Sequence, residues 1–179
     1  MQPRKTVRIL LLDPQNRLLL VRMHDPNVGD ASGGVLAEPY WVTVGGEIDE
    51  GENIAEAAKR EIMEETGLAV KPGPPVWSTE HVLCIDGKNR LMQETFILAR
   101  TIETALGRDG WTELERQVIH DMKWWSLQEL QATREMIFPT SLVQHLPPLS
   151  RRGAASRPHR HRSIKRGWSE KRIEGRTSA

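Results

Sequence analysis

The sequence has a single cysteine, Cys84, in 179 residues. One thiol excludes an internal disulfide and a cysteine metal cluster. Its neighbours, HVLCIDG, read as a strand, so a buried and inert thiol is expected. No apolar run approaches the about 18 residues needed for a membrane span, and no membrane partner is expected. The start, MQPRKTVRILLLD, has too short an apolar stretch for a secretion signal and reads as a strand. Together these features fit a cytoplasmic chain. Internal repeats are absent. Hydrophobic residues make up only 38% of the chain, so part of it is expected to lie outside any core.

Net charge is also scarce, at +1, but it is unevenly spread. Residues 151–179 carry ten Lys/Arg against two Glu, a balance of +8, which leaves 15 basic against 22 acidic residues, or −7, in the first 150. We therefore divide the chain into a globular domain over 1–149 and a basic C-terminal tail over 150–179. The tail has too few apolar residues to offset chain entropy and is expected to be disordered. Its cations could meet nucleic acid phosphates.

Carboxylates are abundant in one stretch. GEIDEGENIAEAAKREIMEETGL, residues 46–68, holds six acids between Glu47 and Glu61, then Glu64 and Glu65. Asn53 with Glu56 three residues later forms a capping-box pattern. Gly67 suits a left-handed helix end. A helix over 53–66 follows, with Ile54, Ala55, Ala58 and Ile62 as its apolar face. At roughly 100° per residue, Glu61, Glu64 and Glu65 share about a third of its circumference. Like charges so placed repel, unless divalent cations sit between them.

The remaining elements frame this helix. TVRILLL (6–12) and LLLVRM (18–23) read as strands joined in a hairpin by DPQNR. Residues 24–39 form a Gly/Pro/Asp-rich loop, the natural place for specificity. YWVTV (40–44) is a strand entering Gly45-Gly46. KPGPP (71–75) forbids more helix. Strands over 75–85 and 90–101 are joined by a turn at Asp86–Asn89. A polar loop over 103–115 precedes a strand over 118–125. Ser126 and Glu129 form a capping box opening a helix. A last helix over 139–146 is expected to end at Pro147-Pro148.

With the spacing set out, Gly46, Glu52, Arg60-Glu61, Ile62, Glu64-Glu65, Gly67 and Leu68 match G-x5-E-x7-R-E-U-x-E-E-x-G-U, with U apolar, at all nine constrained positions. This resembles the Nudix box. The likeness extends over about residues 5–146 and includes the Trp124-Trp125-Ser126 segment. It implies an α/β fold, the Nudix-type α/β/α sandwich with a mixed β-sheet. It also implies hydrolysis of a nucleoside diphosphate linked to another group, with Mg²⁺ or Mn²⁺ as cofactor. Many members carry proline before the paired glycines. Valine 44 keeps the strand extended here, and little catalytic consequence is expected.

Matching positions implies roles. Glu61 and Glu65 become the first metal ligands, Glu64 completes the site and bears on catalysis, and the Gly46 region supplies a backbone carbonyl. Arg60 and Glu52 form an orienting ion pair, while Arg60 also lies four residues after Glu56. A catalytic base outside the box is sought among Glu94, Glu115, Glu80 and Glu113. Glu94 shares a strand face with Phe96 and Leu98, where a lone acid is unusual. Glu115 lies in a loop able to fold over the metals, and reads more readily as the solvated start of a helix. Tyr40, Trp41 and Trp111 could stack a base, and Arg8, Arg22 or Arg90 could meet phosphates. Each of these is also a natural core or surface residue. Two other readings stay open: a nucleotide-binding regulator on the same fold, and an RNA 5′-end pyrophosphohydrolase using the tail. Family members often form homodimers, but no surface in the sequence marks an interface.

Overall fold

In β1 (Arg4–Leu12), Val7, Ile9 and Leu11 alternate with Leu10 and Leu12, and all five are buried. A strand apolar on both faces must be covered on both faces. The computed structural model describes residues 3–150 and shows both covers. Val7, Ile9 and Leu11 pack with Leu19, Val21, Ala57, Ala58 and Ile62, the last three from α1 (Ile54–Thr66). Leu10 and Leu12 pack with Trp41, Phe96, Leu130, Leu142 and Leu146, on the opposite side. The chain is an α/β/α sandwich with a mixed sheet, as the sequence implied.

The other elements are β2 (Leu18–Met23), β3 (Val28–Gly29), β4 (Tyr40–Thr43), β5 (Pro72–Ile85), β6 (Lys88–Arg100), α2 (Glu113–Val118), β7 (Ile119–Trp125), α3 (Leu127–Ala132), β8 (Ile137–Phe138) and α4 (Leu142–Ser150). The strand order is β3-β5-β6-β1-β2-β4-β8, with β7 on β2. β1 runs parallel to β6, and β4 runs parallel to β8. The other pairings are antiparallel. No helix among the described residues is long and apolar enough to cross a membrane.

The expected β1–β2 hairpin closes at one rung only, Leu12 opposite Leu18. Beyond it the strands part, because β2 is paired with β7 and β4 instead. The vacated edge of β1 is taken by the chain leaving β4: Ile9 N–H donates to the Val44 carbonyl at 2.8 Å and Val7 N–H to the Gly46 carbonyl at 3.0 Å. The sheet is forked, and the strap Val44–Glu47 crosses the fork.

Several local expectations change. On α1 it is Ala57, not Ala55, that is buried with Ala58 and Ile62. The β5–β6 turn is tighter than expected, with Asp86 (φ 51°) and Gly87 (φ 72°) supplying the two left-handed residues of a tight hairpin turn. Helix α2 lies across the end of the predicted loop over 103–115, and β3 lies inside the 24–39 loop. Helix α4 starts at Leu142 and runs past Pro147-Pro148 to Ser150. Cys84 is half-buried rather than buried. Residues 151–179, the basic tail, lie outside the described residues.

Candidate active site

Helix α1 carries the box carboxylates, and its ends are well determined. The Asn53 side chain accepts from the Ala55 and Glu56 N–H groups, while Glu56 accepts from Asn53 N–H. That capping box occupies Glu56, so it does not pair with Arg60. At the other end, Gly107 N–H donates to the Thr66 carbonyl at 2.8 Å and the Trp111 indole N–H to the Glu65 carbonyl at 2.7 Å. These bonds satisfy carbonyls that a helix end leaves open. Trp111 therefore clamps the helix, with Arg108 5.0 Å over its ring.

Arg60 is a hub. Its Nε and Nη2 donate to the two oxygens of Glu52 at 3.0 and 2.8 Å. Its Nη1 reaches Glu61 at 2.7 Å and Glu64 at 3.3 Å, and Nη2 also reaches the Glu47 carbonyl at 2.9 Å. The hydrogen bond to Glu52 and those to Glu61 outweigh burial and raise the guanidinium pKa, and the same bond holds Glu52 below the usual carboxylate range. The orienting pair expected of Arg60 and Glu52 is thus present as a bidentate contact.

Glu61 and Glu65 sit one turn apart, 8% and 7% exposed. Burial raises both pKa values. Arg60 opposes the rise at Glu61, and the Gly45 N–H, donating to Glu65 at 3.0 Å, opposes it at Glu65, which still reaches about 8. Glu64 is exposed on the same side of the helix. The paired glycines allow the strap to lie against these carboxylates. A Cβ on Gly46 would come within 2.5 Å of Glu61 Oε1. The Gly46 carbonyl accepts from Val7, and the Gly45 carbonyl accepts from Arg8 Nη1 at 3.2 Å.

These groups line one end of a cleft of about 860 Å³ between the two branches of the sheet. Deeper in, Glu94 is buried, 2.9 Å from Arg8 Nε, 3.4 Å from the Thr79 hydroxyl and 3.8 Å from His81 Nδ1. Burial pulls the Arg8 pKa down but Glu94 raises it further, so the net shift is upward; burial lowers that of His81. Glu115 also lines the cleft, yet its Oε2 accepts from the Thr112 N–H and hydroxyl at 2.6 and 2.7 Å, as the N3 member of the α2 capping box. Tyr40 lines the cleft, its hydroxyl pushed up to about 12 by burial and by Asp25. The far end is aromatic, with Trp77 stacked between Phe96 at 4.5 Å and His145 at 4.6 Å.

The structure thus brings Glu61, Glu64, Glu65, Gly46, Glu94, Glu115 and Tyr40 to one cleft and leaves other candidates away from its lining. Trp41 is in the core, T-shaped against Trp125 and donating to Glu135 at 2.6 Å. Arg22 pairs with the same Glu135 at 3.8 Å. Sequence reasoning missed the Arg8–Glu94 pair and the approach of His81. Both depend on the β1–β6 and β5–β6 registers, which no local pattern specifies.

All the box donors are hard carboxylate oxygens, the type that suits Mg²⁺ or Mn²⁺. The buried Glu65 carboxylate has one backbone donor against strong desolvation, an environment that a cation would relieve. Among the described residues no three His, Cys, Asp or Glu groups are already gathered in ligand geometry. Arg60 holds Glu61 through Oε1 and Glu64 through Oε2, so the donors fit a divalent cation in kind and each carboxylate keeps its other oxygen for it.

A family profile described as the NUDIX domain matches residues 2–146. Solved structures of similar fold include a MutT protein from Methanosarcina mazei Go1 (18% identity, TM-score 0.59, covering 84% of this chain and 95% of that one). They also include an ADP-ribose pyrophosphatase from Streptococcus suis 89-1591 (16%, 0.55, 90% and 100%). A third is the dihydroneopterin triphosphate pyrophosphohydrolase of E. coli (16%, 0.58, 84% and 98%). At such identities the structural likeness concerns the fold, and the profile match over most of the chain carries the assignment: the protein belongs to the Nudix family, hydrolases acting on phosphorus-containing anhydrides.

Proposed function

We propose that the protein hydrolyses the diphosphate linkage of a nucleoside-diphosphate-X substrate in a divalent-metal-dependent reaction. The observation that carries this reading is the pair of buried carboxylates, Glu61 and Glu65, turned toward the glycine strap at the mouth of a cleft large enough for a nucleotide. Glu61 and Glu65, completed by Glu64, would hold the cation. When bound, it would neutralise diphosphate charge and lower the pKa of a water. Arg60 and Glu52 orient this set. The Gly46 carbonyl accepts from Val7 and the Gly45 carbonyl from Arg8, and each keeps a second lone pair, so Gly46 stays our assignment for a backbone oxygen in the site, with Gly45 beside it.

Glu64, half-exposed and held only at 3.3 Å by Arg60, is the carboxylate we assign to take the proton of the attacking water. The water oxygen bonds to one phosphorus, the bridging P–O bond breaks, and two phosphomonoesters leave. Glu115 is committed to the start of α2 and Glu94 to Arg8, so neither is our base. Among the planar groups proposed to meet the base, Tyr40 is retained. A cytoplasmic setting fits the single free thiol.

A panel of nucleotide sugars, dinucleotides and nucleoside triphosphates with Mg²⁺ or Mn²⁺ is expected to yield turnover that EDTA abolishes. Binding of panel members with no turnover would instead support a nucleotide-binding regulator.

Glu94 is expected to act as a positioning residue. In Glu94→Gln, Arg8 loses its charged partner but keeps an acceptor, and kcat is expected to fall about tenfold while the pH–rate profile keeps its limbs. Loss of the acid limb in this variant would reassign Glu94 as the base.

A further inference from the structure

Where β5 and β6 approach their shared turn, the cleft is lined by apolar side chains. Strand alternation turns Leu83 and Ile85 of β5 to the face that carries Thr79 and His81, into the cleft. Val28 of β3 lies opposite Ile85, and Met92 of β6, the partner of His81, lies diagonal to Leu83. Met23, at the end of β2, completes the lining of this slot. Leu83 and Met92 are only 7% and 3% exposed, yet neither belongs to the two apolar clusters that cover the faces of β1. The polar groups nearby are turned to partners of their own. His81 Nδ1 lies 3.8 Å from Glu94, and Arg4 pairs with Glu47 at 2.8 Å. Asp25 accepts from the Asn27 N–H at 2.9 Å, and Glu80 from the Gln93 amide at 2.8 Å. Lys88 and Arg90, across from Ile85 and Leu83, are exposed and stand outside the lining. A sugar or the edge of a nucleobase in this slot would give up hydrogen bonds to water that thioethers and hydrocarbon side chains cannot replace. A hydrocarbon group would instead remove apolar surface from water on both sides, and the two methionines can adapt to its shape.

We infer that the slot formed by Met23, Val28, Leu83, Ile85 and Met92 binds a hydrocarbon group of the substrate, so that X is the residue of an apolar alcohol. The slot and the catalytic carboxylates line one continuous cleft, so a single molecule can span both. This inference rests on the reading of the cleft as a diphosphate-cleaving site. In the reaction the water oxygen bonds to one phosphorus and the P–O–P bridge breaks. The products are a nucleoside monophosphate and an alkyl phosphate.

The test is a chain-length series. Adenosine and uridine 5′-diphosphates esterified on the β-phosphorus with a methyl, butyl or hexyl group are offered to the full chain with Mg²⁺ for hydrolysis. Their α,β-methylene analogues are used for equilibrium binding. In at least one series Kd and kcat/KM are expected to improve about threefold per methylene, or about 30-fold from methyl to butyl. Leu83→Asn should cut that gain to about threefold or less, and Ile85→Asn, at a half-buried position, carries the same test if the first variant does not fold. A flat or falling response in both series, as expected if a nucleobase fills the slot, overturns the inference, and turnover of the methyl ester would leave diphosphate hydrolysis standing. Failure of every analogue to bind overturns it as well. Affinity that rises with chain length without turnover supports the slot and sinks only the catalytic reading. An unchanged gain in a folded variant, checked by circular dichroism, would put the hydrocarbon elsewhere and overturn the assignment.

Discussion

Glu65→Gln is expected to lower kcat by on the order of 10³-fold while leaving the protein folded. The amide keeps the shape and can still accept from the Gly45 N–H, but it loses the charge that would hold a cation. Its effect on stability should run the other way. The buried Glu65 carboxyl has its pKa raised from the ordinary 4.5 to about 8. A carboxyl raised on folding contributes stability that is full below the ordinary value and lost as pH rises through the folded one. Metal-free wild type should therefore lose stability between roughly pH 4.5 and 8, by on the order of 5 kcal/mol. The glutamine variant does not titrate and should show a flatter curve. Thermal melts in EDTA across this window read the difference directly. Mg²⁺ should then raise the melting temperature of wild type and not of the variant. Full activity in Glu65→Gln, or an equal Mg²⁺ shift in both proteins, would remove Glu65 from the metal site.

Gly45→Ala should be the most damaging single-methyl addition in the strap. Gly45 has φ +138°, and a Cβ there would lie 2.1 Å from the Val7 carbonyl oxygen. That oxygen belongs to a central strand and cannot move aside without breaking the sheet. A loss of about 3 kcal/mol or more is expected, with activity falling in parallel. Two neighbouring glycines serve as comparisons. Gly46→Ala meets a side chain rather than backbone, Glu61 Oε1 at 2.5 Å, so its cost should appear mainly in metal affinity. Gly51 has φ +82° with nothing within 4 Å of a Cβ, so alanine there should cost only about 1 kcal/mol. Urea titrations of the three variants, with and without Mg²⁺, order them. Equal losses at positions 45 and 51 would mean that the contact with Val7 does not govern the strap.

The parts of the molecule legible in the sequence are those determined by short-range rules. Asn53, Glu56 and Gly67 bound α1 because capping is a matter of a few residues. The Glu52–Arg60 pair follows from a spacing that brings the loop back over the first turns of the helix. The fork was not legible. An apolar run after an apolar run reads as a hairpin, and only the competition of β7 and β4 for β2 shows why β1 and β2 part after one rung. Stacking and clamping indoles look alike in sequence; Trp111 donates to the Glu65 carbonyl and is not among the residues that line the cleft. Trp41 and Arg22 share Glu135 as partner, a residue more than 90 positions away that no local pattern could nominate.

The strap and the parallel β1–β6 pairing also govern when the site can form. A nascent chain ending at Val70 would already contain the whole 23-residue motif. Yet Arg8, which reaches the Gly45 carbonyl, is held by Glu94, which becomes available only after the β5–β6 hairpin has been made and docked. Closing a parallel pair between partners 88 positions apart, such as Arg4 and Met92, is entropically slow and is expected to follow local helix formation. Arg60 gives the acidic helix its own counter-charge within the motif, whereas the Arg8–Glu94 side of the cleft is expected to form only after the β1–β6 pairing closes.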